Sequence, residues 1–491
     1  MAKDTSGSLG AKIREVGFHS FIYGFGSVAQ SAVQFLLIPV LTASLATAEF
    51  GAYSLIQMAS VIAGGVFYLG MTSALPRSYF DYDQEQDRRS VFTTAFLLLL
   101  AGALTQVVLG KVAGGWISRA LLQTDRYSSE VYWALLGSAL SFVNQFFFTY
   151  LRFLRRSVAS IMLSILALIG SIGVSLLLLQ RNPQDLTAPF RGIAYAQAAV
   201  FAVFLSAFGR RAFTTSLKEK EIGILLRFGV PAVVTSFAAM SIDWVDRIFI
   251  QRMLTSADVG VYSVGYKLGS IVNTLLVTPF AQIWNPMMIE YRSHGDVGEF
   301  FSKIVSYYFL ASSLILVTVC VFVRDALPFV ARSQGYLAAS PVILLVMTGY
   351  LLNGSANILA AGLIYERRIS RIAVIYYVIA VLNIGLNFYF IPRFGITGAA
   401  ITSLLTYALM PLVIYLDASR YFPIRFEAER LFRISIIAAF ALFFGLFVDL
   451  RFAVPLSAKG VLLAVLVSSL LLLCTTKDER RQFRRVIIRS A

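Results

Sequence analysis

The stretch DWVDRIFIQRMLTSADVGVYSVGYKLGS, residues 243–270, contains a turn that the chain also carries near its start. The later copy of the turn is LTSADVGVYS (254–263), and the earlier copy is LATAEFGAYS (45–54), 209 positions before it. In each copy an acidic residue, Glu49 or Asp258, stands two positions before a glycine and at the start of an apolar run. The pattern predicts that each acid caps a helix, and the constant offset predicts a chain with two similar halves.

The composition excludes a soluble globular protein. The chain has 491 residues, of which 58% are hydrophobic and only 14% are charged, and its mean hydropathy is +0.75. A soluble domain carries about 25% charged residues. Both cysteines, Cys320 and Cys474, lie in apolar runs, so we expect neither a disulfide framework nor a metal site. The net charge of +16 lies in alternate loops, which favours a membrane protein and excludes a nucleic-acid partner.

Apolar runs long enough to cross a membrane recur along the whole chain. They predict an all-α integral membrane protein with about fourteen spans. We place these spans at residues 20–43, 51–75, 91–113, 131–151, 157–180, 192–209, 228–253, 260–285, 304–324, 340–364, 372–391, 396–416, 434–450 and 459–476. An even number of spans puts both termini on one side. The connecting segments on that side carry 29 Lys and Arg, against 11 in the outer segments together with the span ends that border them, which predicts cytoplasmic termini.

The repeat predicts how the spans are grouped. Six spans return the chain to its starting side, so the two copies are parallel repeats related by an axis along the membrane normal, an arrangement found in transporters. We therefore predict an N-lobe (1–209), a basic cytoplasmic linker (210–227), a C-lobe (228–433), and two further helices with a basic tail (434–491). Rocking of the two lobes around a central cavity would give alternating access.

Four ionisable residues fall within or at the edge of the spans of the quoted stretch: Asp243, Asp246, Arg247 and Lys267. An ionisable residue at membrane depth costs a few kcal/mol, about 2.5–3.5 on insertion scales, so it faces a partner or water. One interpretation makes Arg247 and Lys267 a basic cavity lining and the two aspartates an ion-coupling site for a proton or sodium ion. The other pairs Asp243 with Arg247 at i,i+4 spacing and lets Lys267 reach the outer interface.

Further candidates for a cavity lining are less specific. Arg77 follows a proline at the predicted inner end of the second span, where it would bind a phosphate or act as a cytoplasmic anchor. Polar side chains inside spans would contact sugar hydroxyls or form bonds between helices. The polar candidates are Gln34, Asn353, Asn357, Asn383 and Asn387. We find no phosphate-binding glycine loop, HExxH motif or His/Cys cluster, so we expect neither an enzyme nor a cofactor.

Three segments together identify a family resemblance. Residues 226–268, LRFGVPAVVTSFAAMSIDWVDRIFIQRMLTSADVGVYSVGYKL, closely resemble the centre of the Wzx-like polysaccharide flippases. Residues 25–55 and 391–407 look like the same family. The family is a branch of the superfamily that also holds multidrug and toxin extrusion antiporters and the lipid II flippase. The resemblance implies a V-shaped fold of two six-helix lobes plus two C-terminal helices.

The resemblance also implies a function. Such a flippase moves an undecaprenyl-pyrophosphate-linked oligosaccharide from the cytoplasmic to the outer leaflet of the bacterial inner membrane, for O-antigen, exopolysaccharide or capsule synthesis. Its implied partners are membrane lipids, a polysaccharide polymerase and a chain-length regulator. The basic residues expected in such a cavity are Arg247, Lys267 and Arg77; the first span lacks an internal arginine, which argues against lipid II as cargo.

Two alternatives remain open from the sequence. The first is a cation-coupled multidrug exporter of the same superfamily, for which twelve spans and an acidic cavity are typical. The second is a membrane polysaccharide polymerase or glycosyltransferase, which needs a long external loop or an acidic catalytic pair. No predicted outer loop exceeds about 20 residues, which argues against the polymerase or glycosyltransferase. The two extra helices and the Arg and Lys residues argue against the multidrug exporter.

Overall fold

The computed structural model describes residues 38–215, 219–292, 297–331, 334–452, 454–476 and 479, and every regular element among them is helical. The chain divides into two compact units, residues 1–260 and 261–491. The first unit contains α1 (38–44), α2 (Thr47–Phe67), α3 (Met71–Phe80), α4 (Glu85–Leu122), α5 (Ser128–Phe153), α6 (Ser157–Arg181), α7 (Thr187–Ala212), α8 (Glu219–Met253) and the start of α9 (Ser256–Gly269). The second contains the rest of α9, α10 (Thr278–Tyr291), α11 (Val297–Val330), α12 (Ser340–Gly354), α13 (Ala356–Leu359), α14 (Ala361–Tyr365), α15 (Ile369–Ala418), α16 (Ala428–Phe443), α17 (Leu450–Phe452) and α18 (Leu456–Leu473), with π-helical turns at Asn273–Val277 and Phe444–Asp449 and a 3₁₀ helix at Gln334–Ala339.

The predicted all-α membrane fold is confirmed. Within the described residues, 10 helices are long and apolar enough to cross a membrane. Each predicted span from residue 51 onward coincides with one helix or with consecutive helices. The first predicted span, 20–43, overlaps the described residues only in α1, and Gln34 lies outside them. The lobe boundaries remain predictions, because the compact units follow packing and place α8 with the helices before it.

Helix α15 contains two predicted spans that meet at a single residue. Gly395 has φ +60° and ψ −140°, which is not helical and which only glycine adopts readily. A Cβ atom built on Gly398 would lie 2.2 Å from the carbonyl oxygen of Phe390, so the chain folds back tightly here. Further along the same hairpin, the Asn383 amide donates to the Thr406 hydroxyl at 3.4 Å. The two halves of α15 are therefore antiparallel neighbours joined by one glycine.

The acids of the repeated turn stabilise helix starts, as the sequence predicts. The Glu49 carboxylate accepts the backbone N–H of Ala46 at 3.4 Å. In the second copy the Asp258 carboxylate accepts the backbone N–H of Thr255 at 3.1 Å, and the Thr255 hydroxyl accepts the N–H of Asp258 at 3.2 Å. This reciprocal bonding is a capping box, so each acid lies three residues after the capping residue rather than at the cap itself.

An aromatic core fixes the orientation of α5. The Phe147 ring stacks on the Phe204 ring with centroids 3.8 Å apart, and Tyr150 lies 4.0 Å from Phe92. These four side chains are buried. Because they anchor one face of α5 against α4 and α7, the other face of α5 is left to line open space in the first unit.

The two C-terminal helices are fixed to α11 by a buried ion cluster. Lys459 of α18 is 1% exposed, and its Nζ lies 2.7 Å from a carboxylate oxygen of Asp449, which is fully buried. The same ammonium contacts Asp325 of α11. The Arg324 guanidinium donates to the carbonyl oxygen of Asp449. Charges that leave water need such compensation, so this cluster determines how the last two helices dock within their unit.

Candidate functional site

The first unit contains a cavity of about 740 Å³ between α2, α3, α5 and α8, with α7 closing one side. Its described lining combines amides and hydroxyls with aromatic rings and contains no charged side chain. The polar members include Gln57, Ser60, Thr72, Ser141, Gln145 and Ser236, and the aromatic members are Tyr68, Trp133, Phe142 and Phe190. Ligand sites in proteins typically enclose roughly 300–1,000 Å³ and combine apolar walls with a few polar groups. This cavity is therefore the candidate site.

One face of α5 supplies polar groups to the cavity. Trp133, Gly137, Ser141 and Gln145 are spaced four residues apart, so they line one side of the helix, and all four border the cavity. The Ser141 hydroxyl donates a hydrogen bond to the carbonyl oxygen of Gly137. Within the described residues, the indole N–H of Trp133 and the side-chain amide of Gln145 make no hydrogen bond. These donors are free to bind a ligand.

Arg77 lies one turn beyond the cavity lining on α3. Ser73 borders the cavity, and the i,i+4 spacing places the exposed Arg77 on the same helix face. Its guanidinium carbon lies 4.1 Å from the centroid of the Phe228 ring. Among the described residues it forms no hydrogen bond or ion pair, so its N–H donors are available. Of the predicted basic residues, Arg77 has the most accessible guanidinium in the described structure.

Arg247 does not line this cavity. It is 2% exposed, donates to the carbonyl oxygen of Asp243 at 2.7 Å, and lies over the Trp244 ring at 4.7 Å. Asp246 beside it is fully buried. This bond joins Arg247 to the backbone of Asp243, and the predicted i,i+4 pairing of the two side chains stays a prediction. The ion-coupling role of Asp243 and Asp246 stays a prediction.

The remaining predicted residues lie in the second unit. Lys267 is half-buried near the end of α9. Asn357 donates its amide to the carbonyl of Gly354, and the Oδ1 of Asn353 is buried with no donor among the described residues. None of these three borders the candidate cavity described within the first unit. Their role in binding substrate stays a prediction.

Asn383 and Asn387 are joined to each other inside the α15 hairpin. Both are fully buried, and the Asn387 amide donates to the Asn383 carbonyl oxygen at 3.0 Å. The Asn383 amide in turn donates a hydrogen bond to the Thr406 hydroxyl on the other half of the hairpin. This geometry matches the second of the two sequence interpretations, hydrogen bonding between helices, and binding of sugar by these residues stays a prediction.

A second, smaller cavity of about 200 Å³ lies in the second unit between α11, α12 and α16. Its described walls are mainly apolar, with three hydroxyls from Ser312, Ser313 and Thr348 and a fourth from Ser435. Those walls offer neither a free amide nor an aromatic indole. This cavity is the weaker candidate for recognition of a polar ligand.

Sequence reasoning misses most of the lining because only packing shows which helix face meets a cavity. The sequence alone gives no reason to single out Gln57, Trp133 or Ser141. The signal that it does contain is the four-residue spacing of Trp133, Gly137, Ser141 and Gln145 within one apolar span. A polar stripe of that kind inside a membrane helix predicts either a hydrated surface or an interface with another helix.

Comparison with known proteins places the chain in a family. Residues 19–292, more than half of the chain, match the family described as "Polysaccharide biosynthesis protein". The chain belongs to this family. Together with the apolar helices, the match shows a multi-pass membrane protein of polysaccharide biosynthesis.

Two curated relatives match over part of their length. A protein of the Lsg locus of Haemophilus influenzae is 26% identical over 266 residues, which are 52% of this chain and 61% of the relative. A protein of Haloferax volcanii described as a probable low-salt glycan biosynthesis flippase, Agl15, is 24% identical over 247 residues, 49% of this chain and 51% of the relative. The chain thus spans little more than half the length of the curated relatives it matches.

Solved structures share the fold. The lipid II flippase MurJ in an inward closed conformation superposes with a TM-score of 0.72 at 12% identity, covering 96% of this chain and 99% of that one. A multidrug resistance transporter of the MATE family, in an inward-facing conformation, superposes with a TM-score of 0.62 at 13% identity over 84% of this chain and 95% of its own. The chain therefore shares its fold with both structures.

Proposed function

We propose that the protein is a flippase that moves an undecaprenyl-pyrophosphate-linked oligosaccharide from the cytoplasmic to the outer leaflet of the bacterial inner membrane by alternating access. The observation that carries the proposal is the 740 Å³ cavity of amides, hydroxyls and aromatic rings inside a chain of membrane helices. A glycan presents hydroxyl groups at every sugar, and an uncharged polar surface satisfies them as water does. The family and the probable flippase Agl15 support the assignment.

Arg77 is the proposed contact for the pyrophosphate. Its free N–H donors lie one turn from the cavity, at the end of α3 that the charge bias predicts to be cytoplasmic. A guanidinium binds phosphate oxygens through two parallel hydrogen bonds, which a lysine cannot reproduce. The polyprenyl tail would stay in the bilayer. A surface-polysaccharide polymerase and a chain-length regulator are proposed to act on the product at the outer face.

The alternatives fit the cavity less well. A carboxylate would favour a cationic drug, and the described lining contains no acidic side chain. A polymerase or glycosyltransferase would need an acidic pair or a metal, and no group of three His, Cys, Asp or Glu that would hold a metal occurs in the described part of the chain. Transport rather than catalysis is therefore the function proposed.

The test is a flipping assay in proteoliposomes. An undecaprenyl-pyrophosphate oligosaccharide is placed in one leaflet, and its exposure in the other is followed for the wild type, Arg77→Ala and Arg77→Lys. We expect movement by the wild type, a loss of about tenfold or more in Arg77→Ala, and incomplete rescue by lysine. Arg393→Ala is the matched control, because Arg393 is an exposed arginine that stacks on Tyr389 at 3.8 Å. No movement by folded wild type, together with efflux of a cationic dye, would overturn the proposal.

A further inference from the structure

The absence of charged side chains from the described walls of the candidate cavity indicates which sugars it can bind. Its described walls supply amide and hydroxyl groups from Gln57, Ser141 and Gln145, and no side chain of either sign. A sugar carboxylate or sugar phosphate that entered would lose water without gaining a counter-charge. Burial of an ionised group without a partner is strongly unfavourable, whereas a neutral hydroxyl needs only a hydrogen-bond partner.

The charged groups behind Trp133 lie close to one another. The Arg191 guanidinium lies 5.4 Å from the centroid of the Trp133 ring. The same guanidinium lies 3.9 Å from a carboxylate oxygen of Asp185, and the carboxyl of Glu130 interacts electrostatically with both of these residues and with Arg126. Two acids and two arginines therefore balance one another at this end of α5. The formal charges of this group therefore sum to zero.

Trp133 offers a fixed surface for a sugar ring. The indole borders the cavity, and the Tyr195 ring meets it edge-on with centroids 5.5 Å apart. An aromatic face is electron-rich and attracts the partly positive C–H groups on one side of a pyranose ring. The free N–H of Trp133 would bind a hydroxyl of that sugar. The free amide of Gln145 lies about 18 Å further along the same helix face, at 1.5 Å per residue, and would bind a hydroxyl of another sugar in the glycan.

We propose that this cavity selects uncharged glycans over glycans whose sugars carry a carboxylate or phosphate, with Trp133 as the stacking surface and Gln145 as a specificity-determining residue. The inference rests on the proposed function, because it names the substrate class of the same site. It differs from the expectation of a basic cavity: no charged side chain borders the described walls, and Arg77 lies one turn beyond them, where the pyrophosphate common to all such substrates would bind.

The experiment compares two substrates that share one lipid and one pyrophosphate. One carries a neutral trisaccharide and the other carries a trisaccharide of the same length that contains a uronic acid. Flipping is measured for the wild type, Gln145→Lys and the control Gln184→Lys, which makes the same change at an exposed loop position. We expect the wild type to move the neutral substrate at least about tenfold faster. Gln145→Lys should narrow that ratio by favouring the acidic substrate, and Gln184→Lys should leave it unchanged.

A binding measurement separates the two ways in which the assay can fail. Maltotriose and tri-galacturonic acid are titrated into detergent-solubilised wild type and Trp133→Ala by calorimetry. Equal flipping of both substrates would overturn the inference and leave the flippase assignment intact. If neither substrate moves, the proposed function fails. In that case the binding data decide the inference. If the wild type binds maltotriose more tightly than tri-galacturonic acid and Trp133→Ala loses this binding, neutral-glycan selection is supported. If the wild type binds both ligands equally, or binds neither, neutral-glycan selection is overturned.

Discussion

Gly51 and Gly260, which occupy the same position in the two copies of the repeated turn, lie against each other. A Cβ atom built on Gly51 would fall 1.9 Å from the carbonyl oxygen of Ser256, and one built on Gly260 would fall 2.0 Å from that of Thr47. Thr47 and Ser256 are themselves equivalent in the repeat. The contact is therefore reciprocal. The glycine of each copy lies against the carbonyl oxygen of the first helical residue of the other copy. Only a residue without a Cβ allows this approach.

Adding a methyl group at this contact should destabilise the protein. Gly51→Ala and Gly260→Ala each force a backbone carbonyl to move, and we expect a loss of about 1–3 kcal/mol in the free energy of unfolding. Thermal unfolding in detergent would measure it. Gly115→Ala and Gly173→Ala are matched controls, because nothing lies within 4 Å of a Cβ built at either position. The controls should be neutral or stabilising, since alanine favours a helix over glycine. Equal stability in all four variants would contradict this account.

Removal of the ammonium at the centre of the α11–α18 ion cluster should be costly. Lys459→Met removes the ammonium that pairs with the buried carboxylate of Asp449, and breaking a buried pair from one side costs about 3–5 kcal/mol. Chemical denaturation or thermal unfolding would show the loss, and Lys459→Met combined with Asp449→Asn should recover part of it. Lys303→Met breaks a pair with Glu299 at the surface and should have no measurable effect. A single variant as stable as the wild type would show that the cluster contributes little.

Arg247 should be required for stability rather than for substrate binding. Its burial and its bond to the Asp243 carbonyl predict that Arg247→Ala loses about 1.5–3 kcal/mol, the range for hydrogen bonds from charged groups. Arg247→Lys should recover some of that stability. The measurements are the melting temperature and the flipping rate of the same preparation. Unchanged stability with lost flipping would instead support the cavity role inferred from the sequence.

Acidification should release the start of the C-terminal tail. Burial raises the pKa of the Glu479 carboxyl, but hydrogen bonds from the Thr476 backbone, Tyr307 and Arg430 outweigh it and lower the pKa below its usual range. A carboxyl with a lowered folded-state pKa stabilises the protein above its unfolded pKa of about 4.3 and loses that contribution as pH falls through the folded-state value. Melting temperatures of the wild type should therefore drop towards pH 3.

Glu479→Gln provides the comparison for that pH dependence. It should lower the melting temperature at pH 7 and flatten the drop below pH 5, because the group that titrates has been removed. Glu366→Gln, at an exposed position outside this cluster, should retain the wild-type profile. A Glu479→Gln profile parallel to that of the wild type would show that another group dominates the acid transition.

The sequence predicts the fold better than it predicts the site. Apolar run length marks a membrane span, and the 209-residue offset by itself puts Gly51 and Gly260 in equivalent turns. The environment of a side chain inside a span depends instead on which neighbour covers its face. Asn383 and Arg247 look alike in the sequence as polar residues in apolar runs. The structure buries both, whereas the amide of Gln145 borders open space.

The one-residue turn at Gly395 also governs how this region can be handled. Proteases nick exposed loop tips, and inserted tags are tolerated at the same places, because a flexible segment must enter the cleaving site or absorb the extra chain. The α15 hairpin has no such segment, and Gly398 lies directly against the carbonyl of Phe390. Limited digestion of intact cells should leave this connection uncut. An epitope tag inserted at Gly395 would separate the two arms of the hairpin, so topology reporters belong at longer connections such as residues 123–127.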